Sequence, residues 1–312
     1  NVDSLKTSTR KIGEESFTSV FMNVPAGKQH FSVAIFKSDS PESDKVFEKT
    51  FTAFKTPDLN SFTKGSSLRW EGTVKVAGVK GKDEGPFTVD EIVMPENNPW
   101  RSWMRPGAFD FTADGKSMYM STWSGDVWKA ENLDDISKLE WKRYAAGLFH
   151  PLGLKVVDGK IYVQCRDQIA ILHDLNNDGE ADYYENFNND VVITENFHEF
   201  SFELNRDKAG NFYFVKGAPV VAGGEGFGDM KVHHGKLFRV SADGSKLEVI
   251  ASGFRAPNGM GMSPDGQLTT SDNEGNWVAA TPINWIEEGG FYGVQPTALG
   301  GKVPEKRSPI VC

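Results

Sequence analysis

The chain has 312 residues, of which 34 are Lys or Arg and 43 are Asp or Glu, so its formal net charge is −9. This acidic balance makes nucleic acid an unlikely partner, because a phosphate-binding protein needs an excess of cationic side chains. Hydrophobic residues make up 38% of the chain and no run of about 18 uncharged apolar residues occurs, so the sequence predicts no membrane span.

The composition is rich in glycine and aromatic residues. With 32 glycines, 15 prolines, 22 phenylalanines and 8 tryptophans, it is typical of short strands joined by tight turns, and it excludes a helical bundle. Two cysteines, Cys165 and Cys312, are too few for a disulfide framework. Because the chain starts with Asn1 and shows no signal-type apolar segment, we expect a mature or excised fragment of a longer protein.

The first 65 residues are predicted to form strands. Two alternating apolar segments between Glu15 and Phe36, on either side of Pro25-Ala26-Gly27, predict a β-hairpin. A lone hairpin is not stable in water. We therefore expect residues 1–65 to form a β-sandwich remnant or a set of accessory strands.

A polar, turn-rich stretch follows this first part. Residues 66–85 are expected to form a linker between two domains. Short strands are expected near Val46–Phe54 and Thr73–Val79, where apolar residues alternate with polar ones.

A pattern of strand, Asp-Gly type turn and strand recurs after Pro86. It is found at Arg105–Met120, His150–Val163, His198–Phe214 and Pro257–Thr270. The turn glycines are 44, 51 and 56 residues apart, which is the size of a four-stranded antiparallel blade. The sequence thus predicts an all-β fold with a β-propeller over residues 86–312. Four to five blades fit, so we expect the chain to end before the ring closes.

The segment from Asp174 to Glu185 has oxygen-bearing side chains at the spacing of a calcium loop. Gly179 stands at the position of the sharp turn, and Glu180 would bind through its backbone. The candidate ligands are Asp174, Asn176, Asp178, Glu180, Asp182 and Glu185. This pattern predicts a structural Ca²⁺; the alternative is a solvated acidic turn with side chains bonded to their own backbone.

Three side chains stand just before predicted inner strands, namely His150, His198 and Arg255. In a propeller the ends of inner strands line the axial tunnel, where ligands bind. An imidazole there can act as a general base, and a guanidinium can hold a carboxylate, a quinone oxygen or a sugar hydroxyl. Asp272 adds a carboxylate that can orient a base. The alternatives are hydrogen-bonded loop histidines and an arginine paired with a neighbouring blade.

Two other groups are weaker candidates. His233 and His234 could join His150 and His198 in a transition-metal site, but a strand would place the adjacent pair on opposite faces. The segment Gly223–Gly228 lacks the strand-to-helix setting of a nucleotide loop, so we expect a flexible insertion.

Residues 253–293, GFRAPNGMGMSPDGQLTTSDNEGNWVAATPINWIEEGGFYG, resemble the signature of the soluble quinoprotein glucose dehydrogenase-like propellers. The segments PENNPWRSWMRPGAFDF, STWSGDVW and DLNNDGEADYYENFNND are similar to a subgroup of these, the large secreted bacterial propeller proteins of the membrane-bound dehydrogenase type, in which a c-type haem domain follows the propeller. The resemblance covers about residues 65–312.

The resemblance implies roles for individual residues. His198 matches the general base of the family, Arg255 matches the arginine that contacts pyrroloquinoline quinone (PQQ), and Lys216 loosely matches a cofactor lysine. Ala256 stands where the family commonly has Asn. We therefore expect His198 and Asp272 to be catalytic, and the residues in contact with PQQ to be Arg255, Lys216, Asn258 and His150.

Two functions follow as hypotheses. The first is a secreted or periplasmic oxidoreductase that takes a hydride from a sugar or polyol hydroxyl to a quinone and passes electrons to a c-type haem domain or a separate cytochrome. The second is a non-catalytic propeller that binds carbohydrate or protein; a lyase or hydrolase is a third possibility. Convergence of His198, Arg255 and Asp272 on one cavity would favour the enzyme.

Overall fold

The computed structural model describes residues 5–12, 15–22, 27, 36–37, 40–55 and 57–310. Its contacts divide the chain into two units, Asn1–Asn60 and Ser61–Cys312. Within the described ranges, no helix has the length and apolarity needed to cross a membrane.

The first unit contains an antiparallel strand pair. β1 (Leu5–Ile12) pairs along its whole length with β2 (Glu15–Met22). The predicted hairpin over Glu15–Phe36 differs from this pairing, and its second arm, residues 28–35, lies outside the described residues. The sequence between β1 and β2 is Gly13-Glu14, and a two-residue Gly-X loop is a strong hairpin signal that the Pro-Ala-Gly segment obscured.

A helix follows the strand pair in the chain. α1 (Pro41–Ala53) begins at Ser40, whose side chain accepts a hydrogen bond of 3.2 Å from the Ser43 backbone N–H. A cap of this type, with proline at the first helical position, starts a helix whatever the β propensity of the residues that follow. The predicted strand over Val46–Phe54 is therefore wrong. A 3₁₀ helix occupies Leu59–Thr63.

The second unit contains four antiparallel sheets arranged as propeller blades, which confirms the predicted fold class. Blade I consists of β3 (Val74–Val76), β4 (Pro106–Phe111), β5 (Ser117–Thr122), β6 (Val127–Glu131) and β7 (Leu139–Ala145). Blade II consists of β8 (Gly153–Val157), β9 (Lys160–Gln164), β10 (Ile169–His173) and β11 (Tyr183–Asn188). Blade III consists of β12 (Ser201–Arg206), β13 (Phe212–Lys216), β14 (Lys236–Val240) and β15 (Leu247–Ser252). Blade IV consists of β16 (Pro257–Met262), β17 (Leu268–Asp272) and β18 (Ile283–Trp285).

Two additions complete these sheets. β3 pairs antiparallel with β7 at the outer edge of blade I, and β19 (Gly290–Phe291) pairs parallel with β15 at the outer edge of blade III. Two 3₁₀ helices, Leu133–Lys138 and Gln295–Ala298, lie in the connections.

The first strand of each blade is its innermost strand, and β4, β8, β12 and β16 contact one another in that order. In every blade the predicted turn joins this strand to the next one. Its glycine has a positive φ, as at Gly115 (69°) and Gly210 (95°), a conformation that disfavours residues with a Cβ atom. The turn chemistry therefore sets the register of each blade.

The apolar core lies between successive blades. Val127 and Tyr144 of blade I form one buried cluster with Leu154 and Val163 of blade II, and similar clusters join blade II to III and blade III to IV. Because each blade buries one face against the next, the inner strands are held at fixed positions around the axis.

Residues 66–85, predicted as a linker, belong to the second unit. They include β3, and Arg69 Nε lies 2.5 Å from Glu180 Oε1. The Ser66 N–H donates to Asp182 Oδ1 at 2.6 Å. Most of these residues are exposed, and some of their polar groups bind the loop after β10.

A glycine allows two inner strands to approach closely. At Gly153, the first residue of β8, a Cβ atom would lie 2.3 Å from the backbone oxygen of Glu203 in β12. Contact this short between a Cβ and a backbone atom does not occur, so any larger residue must push the two strands apart.

We expect Gly153→Ala to lower the free energy of unfolding by about 1–3 kcal/mol, measured by urea denaturation, because the added methyl overpacks the contact between blades II and III. Gly85→Ala is the matched control, since nothing lies within 4 Å of a Cβ at that position. It should change stability by less than about 0.5 kcal/mol. Equal effects of the two substitutions would contradict the packing argument.

Candidate functional site

A cavity of about 590 Å³ lies where the inner strands begin. This volume is in the range of small-molecule sites. All four blades, or the segments beside them, contribute to its wall. Blade I provides Arg105, Pro106, Gly107 and Trp123, and blade II provides Leu152. Blade III provides His198, Phe200, Phe202 and Glu203, and blade IV provides Arg255, Ala256, Asn258 and Asn273. Three residues predicted from the sequence, His198, Arg255 and Asn258, are therefore brought together.

His198 lines the cavity just before β12. Its backbone N–H donates to Asn196 Oδ1 at 2.8 Å, and its ring packs against Phe200 with 5.8 Å between ring centroids. The ring Nδ1 is buried and has no hydrogen-bond partner among the described residues. Burial and the charge of Arg255 lower the pKa of His198 below its ordinary value. The imidazole is thus neutral at pH 7 and can accept a proton.

The guanidinium of Arg255 is held in place by neutral groups. Its Nη1 donates to Asn273 Oδ1 at 2.9 Å and its Nη2 donates to the Gly224 carbonyl at 2.8 Å. The side chain lies over Gly275, where a Cβ atom would come within 2.4 Å of Cδ. Because no described carboxylate forms a salt bridge with the guanidinium, its charge remains available to an anionic group in the cavity.

Asp272 does not line the cavity, in contrast to the predicted catalytic role, so only His198 and Arg255 of the three side chains whose convergence would favour the enzyme share the cavity. Its carboxylate is 4% exposed and accepts hydrogen bonds from the backbone N–H groups of Arg255 (2.8 Å), Ala256 (2.8 Å) and Asn273 (2.9 Å). Burial raises the pKa of Asp272 to about 6, against the lowering effect of these donors. The carboxylate is occupied by backbone, so Asp272 positions the turn that carries Arg255.

A second guanidinium faces the cavity. Arg105 lies over the ring of Trp123 at 4.6 Å and near the ring of Trp103 at 5.4 Å. Like Arg255, it forms no salt bridge with a described carboxylate. Asn258 on β16 adds an exposed amide to the same wall. The cavity therefore combines two cationic groups, a neutral imidazole and the faces of aromatic rings.

His150 lies behind this wall and does not line the cavity, in contrast to the predicted cofactor contact. Its ring packs among Trp123 (4.9 Å), Phe149 (4.8 Å) and Phe200 (5.6 Å). Burial and the charge of Arg166 lower its pKa. The aromatic neighbours separate the imidazole from the cavity, so His150 supports the wall.

Lys216, also predicted to contact the cofactor, is fully buried away from the cavity. Its ammonium lies 3.5 Å from Glu199 Oε2 and donates to the Glu199 carbonyl at 3.1 Å. Burial lowers the pKa of Lys216 to about 8. The ammonium finds its partners in the protein interior, and this explains why it does not reach a ligand.

Glu199, next to His198 in the chain, is the centre of this buried cluster. Its Oε1 accepts from Arg166 Nη2 at 2.9 Å, and its Oε2 accepts from His234 Nε2. Nδ1 of His234 accepts from the Lys231 N–H at 3.0 Å, which fixes the imidazole proton on Nε2. His234 is therefore a structural residue, and among the described residues neither it nor His233, whose Nδ1 accepts from the Val192 N–H at 2.9 Å, belongs to a group placed to hold a metal ion.

The loop predicted to bind calcium is held by hydrogen bonds. Asp174 accepts from the backbone N–H groups of Asp178 (3.1 Å) and Gly179 (2.8 Å), and the Asp178 carbonyl accepts from the Lys142 ammonium. Asn176 and Asp182 bind Ser66, and Glu180 is paired with Arg69.

Two observations show that the six predicted calcium ligands do not converge on one point in the structure. Glu185 forms a 2.7 Å contact with His173 across β10 and β11, so the twelfth ligand is turned away from the loop. In the part of the chain that the structure describes, no group of three or more His, Cys, Asp or Glu side chains is placed to hold a metal ion. The calcium site stays a prediction, and the loop as the structure describes it is the hydrogen-bonded acidic turn that was its alternative.

Sequence reasoning missed three features of the cavity. Arg105 precedes Pro106 as His150 precedes Pro151, so alignment of the repeats could have found it. The segment Gly223–Gly228, predicted as a flexible insertion, contacts Arg255 through the Gly224 carbonyl. Glu203 has no sequence signature, because its place in the cavity depends on an irregularity of β12.

No family model and no curated protein matches the chain. Among solved structures, it is similar to a glucose dehydrogenase at 14% identity with a TM-score of 0.50, over 66% of this chain and 71% of that chain. A candidate glucose dehydrogenase from Thermus thermophilus is 21% identical over 66% of this chain and 69% of its own, with a TM-score of 0.49. The PQQ-bound aldose sugar dehydrogenase from Streptomyces coelicolor is 15% identical over 66% and 67%, with a TM-score of 0.49. At such identities the similarity to the first of these shows a shared fold.

The buried Glu199 cluster makes the free energy of unfolding depend on pH. Burial alone would raise the pKa of Glu199, but the His234 hydrogen bond, the charge of Lys216 and its other donors lower it to about 2. Because this value is below that of the unfolded chain, the stabilisation is present above about pH 4.5 and is lost as the pH falls toward 2, by up to about 3 kcal/mol. We expect Glu199→Gln to lack this component in urea unfolding curves recorded from pH 2 to 7.

Glu131→Gln is the control for this substitution. Glu131 pairs with Lys129 at 2.5 Å on the surface, with 44% of its side chain exposed. An exposed pair contributes less than about 1 kcal/mol. Identical pH profiles for wild type and Glu199→Gln would contradict the assignment.

Proposed function

We propose that this protein is a quinone-dependent oxidoreductase that acts on a hydroxyl group of a sugar or polyol. The observation that carries the proposal is the convergence, in one cavity, of a neutral histidine and two guanidinium groups that no described carboxylate neutralises. The name of the solved structure that shares the fold, a glucose dehydrogenase, agrees with this reaction class.

The residues of the cavity fit PQQ, a flat aromatic quinone that carries carboxylates. Arg255 and Arg105 would hold the carboxylates, with Asn258 as a further donor, while the rings of Trp123 and Phe200 offer apolar faces. The quinone would supply the acceptor for the hydride that leaves the substrate carbon.

His198 then removes the proton. The hydroxyl O–H bond breaks as the imidazole accepts the proton at Nε2, the less buried ring nitrogen, and the hydride leaves the same carbon, so a carbonyl forms. Asp272 holds the turn of Arg255, and Asn273 and Gly224 hold its guanidinium, so that the positive charge is fixed before a ligand arrives.

The proposal extends to the fate of the electrons. They would pass to a c-type haem domain or a separate cytochrome, and the protein would be secreted or periplasmic. The sequence resemblance to the haem-linked subgroup supports this electron path and this location.

We expect protein reconstituted with PQQ to oxidise an aldose such as glucose in a dye-linked assay, and His198→Asn to lower kcat by about 10²–10⁴-fold. PQQ uptake, followed by its absorbance and by quenching of tryptophan fluorescence, should be unchanged, because the histidine acts on the substrate proton.

His173→Gln is the matched control for this variant, because His173 pairs with Glu185 on the outer strands of blade II, outside the cavity. It should retain full activity. Wild-type protein that takes up no PQQ and oxidises no sugar would refute the proposed enzyme and favour the non-catalytic binding propeller.

The protonation state of His198 can be measured without a cofactor. Burial and Arg255 lower its pKa, so an NMR titration of the imidazole C–H signals should give a midpoint below 6.5. In Arg255→Gln the midpoint should rise, because loss of the neighbouring cation stabilises the protonated ring. Arg307→Gln, which removes an exposed arginine paired with Glu287 at 3.1 Å, should leave it unchanged. An Arg255→Gln midpoint equal to that of wild type would contradict the electrostatic coupling.

A further inference from the structure

Glu203 reaches the cavity through a distortion of the inner strand of blade III. The register between β12 and β13 shifts between Phe202 and Asn205, and Glu203 has a φ of 60°. Its backbone N–H leaves the sheet and donates to the Leu152 carbonyl of the neighbouring blade at 3.0 Å. A bulge of this kind redirects a side chain, and bulges are frequent beside functional sites.

The conformation at this position is unfavourable for glutamate. In the left-handed region the Cβ atom crowds the following carbonyl, and glycine is the residue that avoids this cost. A strained residue persists where the surrounding structure fixes it, and such residues cluster at ligand-binding sites. We therefore expect the side chain of Glu203 to have a function that glycine, which lacks a side chain, could not perform.

The Glu203 carboxylate has no protein partner. It forms no hydrogen bond or salt bridge with a described residue, although it is partly buried and lines the cavity. Burial raises its pKa, and the charge of Lys155 opposes this shift. Lys155 itself lies 3.4 Å from Asp110. A carboxylate removed from water and left without donors in the protein is suited to donors on a ligand.

The cavity wall carries charged groups of both signs that form no salt bridge with one another. Arg105 and Arg255 have their own neutral or aromatic neighbours, and neither forms a salt bridge with Glu203. A ligand in the cavity thus meets cationic donors on one part of the wall and an acceptor-only carboxylate on another. These are complementary to two different chemical groups, an anion and a set of hydroxyls.

We infer that Glu203 selects the substrate: its carboxylate accepts hydrogen bonds from hydroxyl groups of a neutral sugar or polyol and excludes sugar acids. The inference rests on the proposed function for the identity of the substrate class. Hydroxyls are donors that satisfy a buried carboxylate, whereas the carboxylate of a uronic or aldonic acid repels it. Oxidation of an aldose to its neutral lactone leaves this complementarity intact, and hydrolysis to the acid would promote release of the product.

The test is equilibrium binding of glucose and glucuronate to the full chain loaded with reduced PQQ, by isothermal titration calorimetry, so that the cofactor occupies the two guanidinium groups and no sugar is oxidised. We expect wild type to bind glucose at least about tenfold more tightly than glucuronate. In Glu203→Gln, which keeps the shape and removes the charge, the two affinities should become equal within about threefold. Glu131→Gln, on the surface of blade I, should keep the wild-type ratio.

A second variant separates the functional role from a structural one. Glu203→Gly removes both the strain and the carboxylate, so the melting temperature should rise while the preference for glucose is lost. A fall in melting temperature would overturn the role of strain, and an unchanged glucose-to-glucuronate ratio in Glu203→Gln would overturn the selection of neutral sugars. Wild type that binds neither sugar would overturn it as well.

The outcome also distinguishes this inference from the proposed reaction. Protein that prefers glucose through Glu203 yet oxidises no sugar with PQQ would refute the oxidoreductase and leave the selecting role in place. Protein that oxidises sugars with the same preference in wild type and Glu203→Gln would support the reaction and refute the role of Glu203.

Discussion

Buried carboxylates hold the segments that carry the cavity side chains. Glu199 binds the segment of His198 through the Thr194 N–H and through Arg166, whose guanidinium also donates to the Asn196 carbonyl. Asp272 binds the backbone of the Arg255 turn. In blade I, Asp126 accepts from Ser102, three residues before Arg105, and from Arg143 at 2.7 Å. An ionised group taken out of water must keep all of its donors, so these loops cannot shift without a large free-energy cost.

This arrangement divides the charged residues into two sets. The buried carboxylates accept several hydrogen bonds each and fix the positions of the loops. The charged groups that face the cavity, Arg105, Arg255 and Glu203, can still form hydrogen bonds or ion pairs with a ligand. Electrostatic preorganisation of this kind lowers the reorganisation needed when a ligand binds. The rings of Trp123 and Phe200 form part of the same wall, and His150 packs against both of them from behind.

Much of the fold could be predicted from the sequence, because it depends on local chemistry. Asp-Gly type turns at Gly115, Gly159, Gly210 and Gly266 sit between alternating strands, and their recurrence identified the blades. The position just before an inner strand is equivalent in every repeat. His198 and Arg255 line the cavity from this position, but His150, at the equivalent place in blade II, is separated from the cavity by aromatic rings. The helix at Pro41–Ala53 was missed because its β-branched and aromatic residues were given more weight than its cap.

What the sequence could not provide depends on three-dimensional partners. Lys216 and Asp272 are residue types expected in a cofactor site. Each is instead bound to protein groups that lie elsewhere in the chain, Lys216 to Glu199 and Asp272 to the backbone of Arg255. The acidic loop carries a ligand pattern, but hydrogen bonds with Ser66, Arg69 and His173 use its side chains. Glu203 lines the cavity because the register of β12 shifts at this point, and no residue pattern in the sequence predicts that shift.

The parallel pairing of β19 with β15 has a consequence for folding during synthesis. The outer edge of blade III is completed by residues 290–291, which leave the ribosome after the whole of blade IV has been made. Until then β15 presents unpaired backbone groups, the kind of edge that recruits strands from other chains. The outer edge of blade III therefore stays open to pairing until residues 290–291 have been made, which favours folding of blades III and IV together.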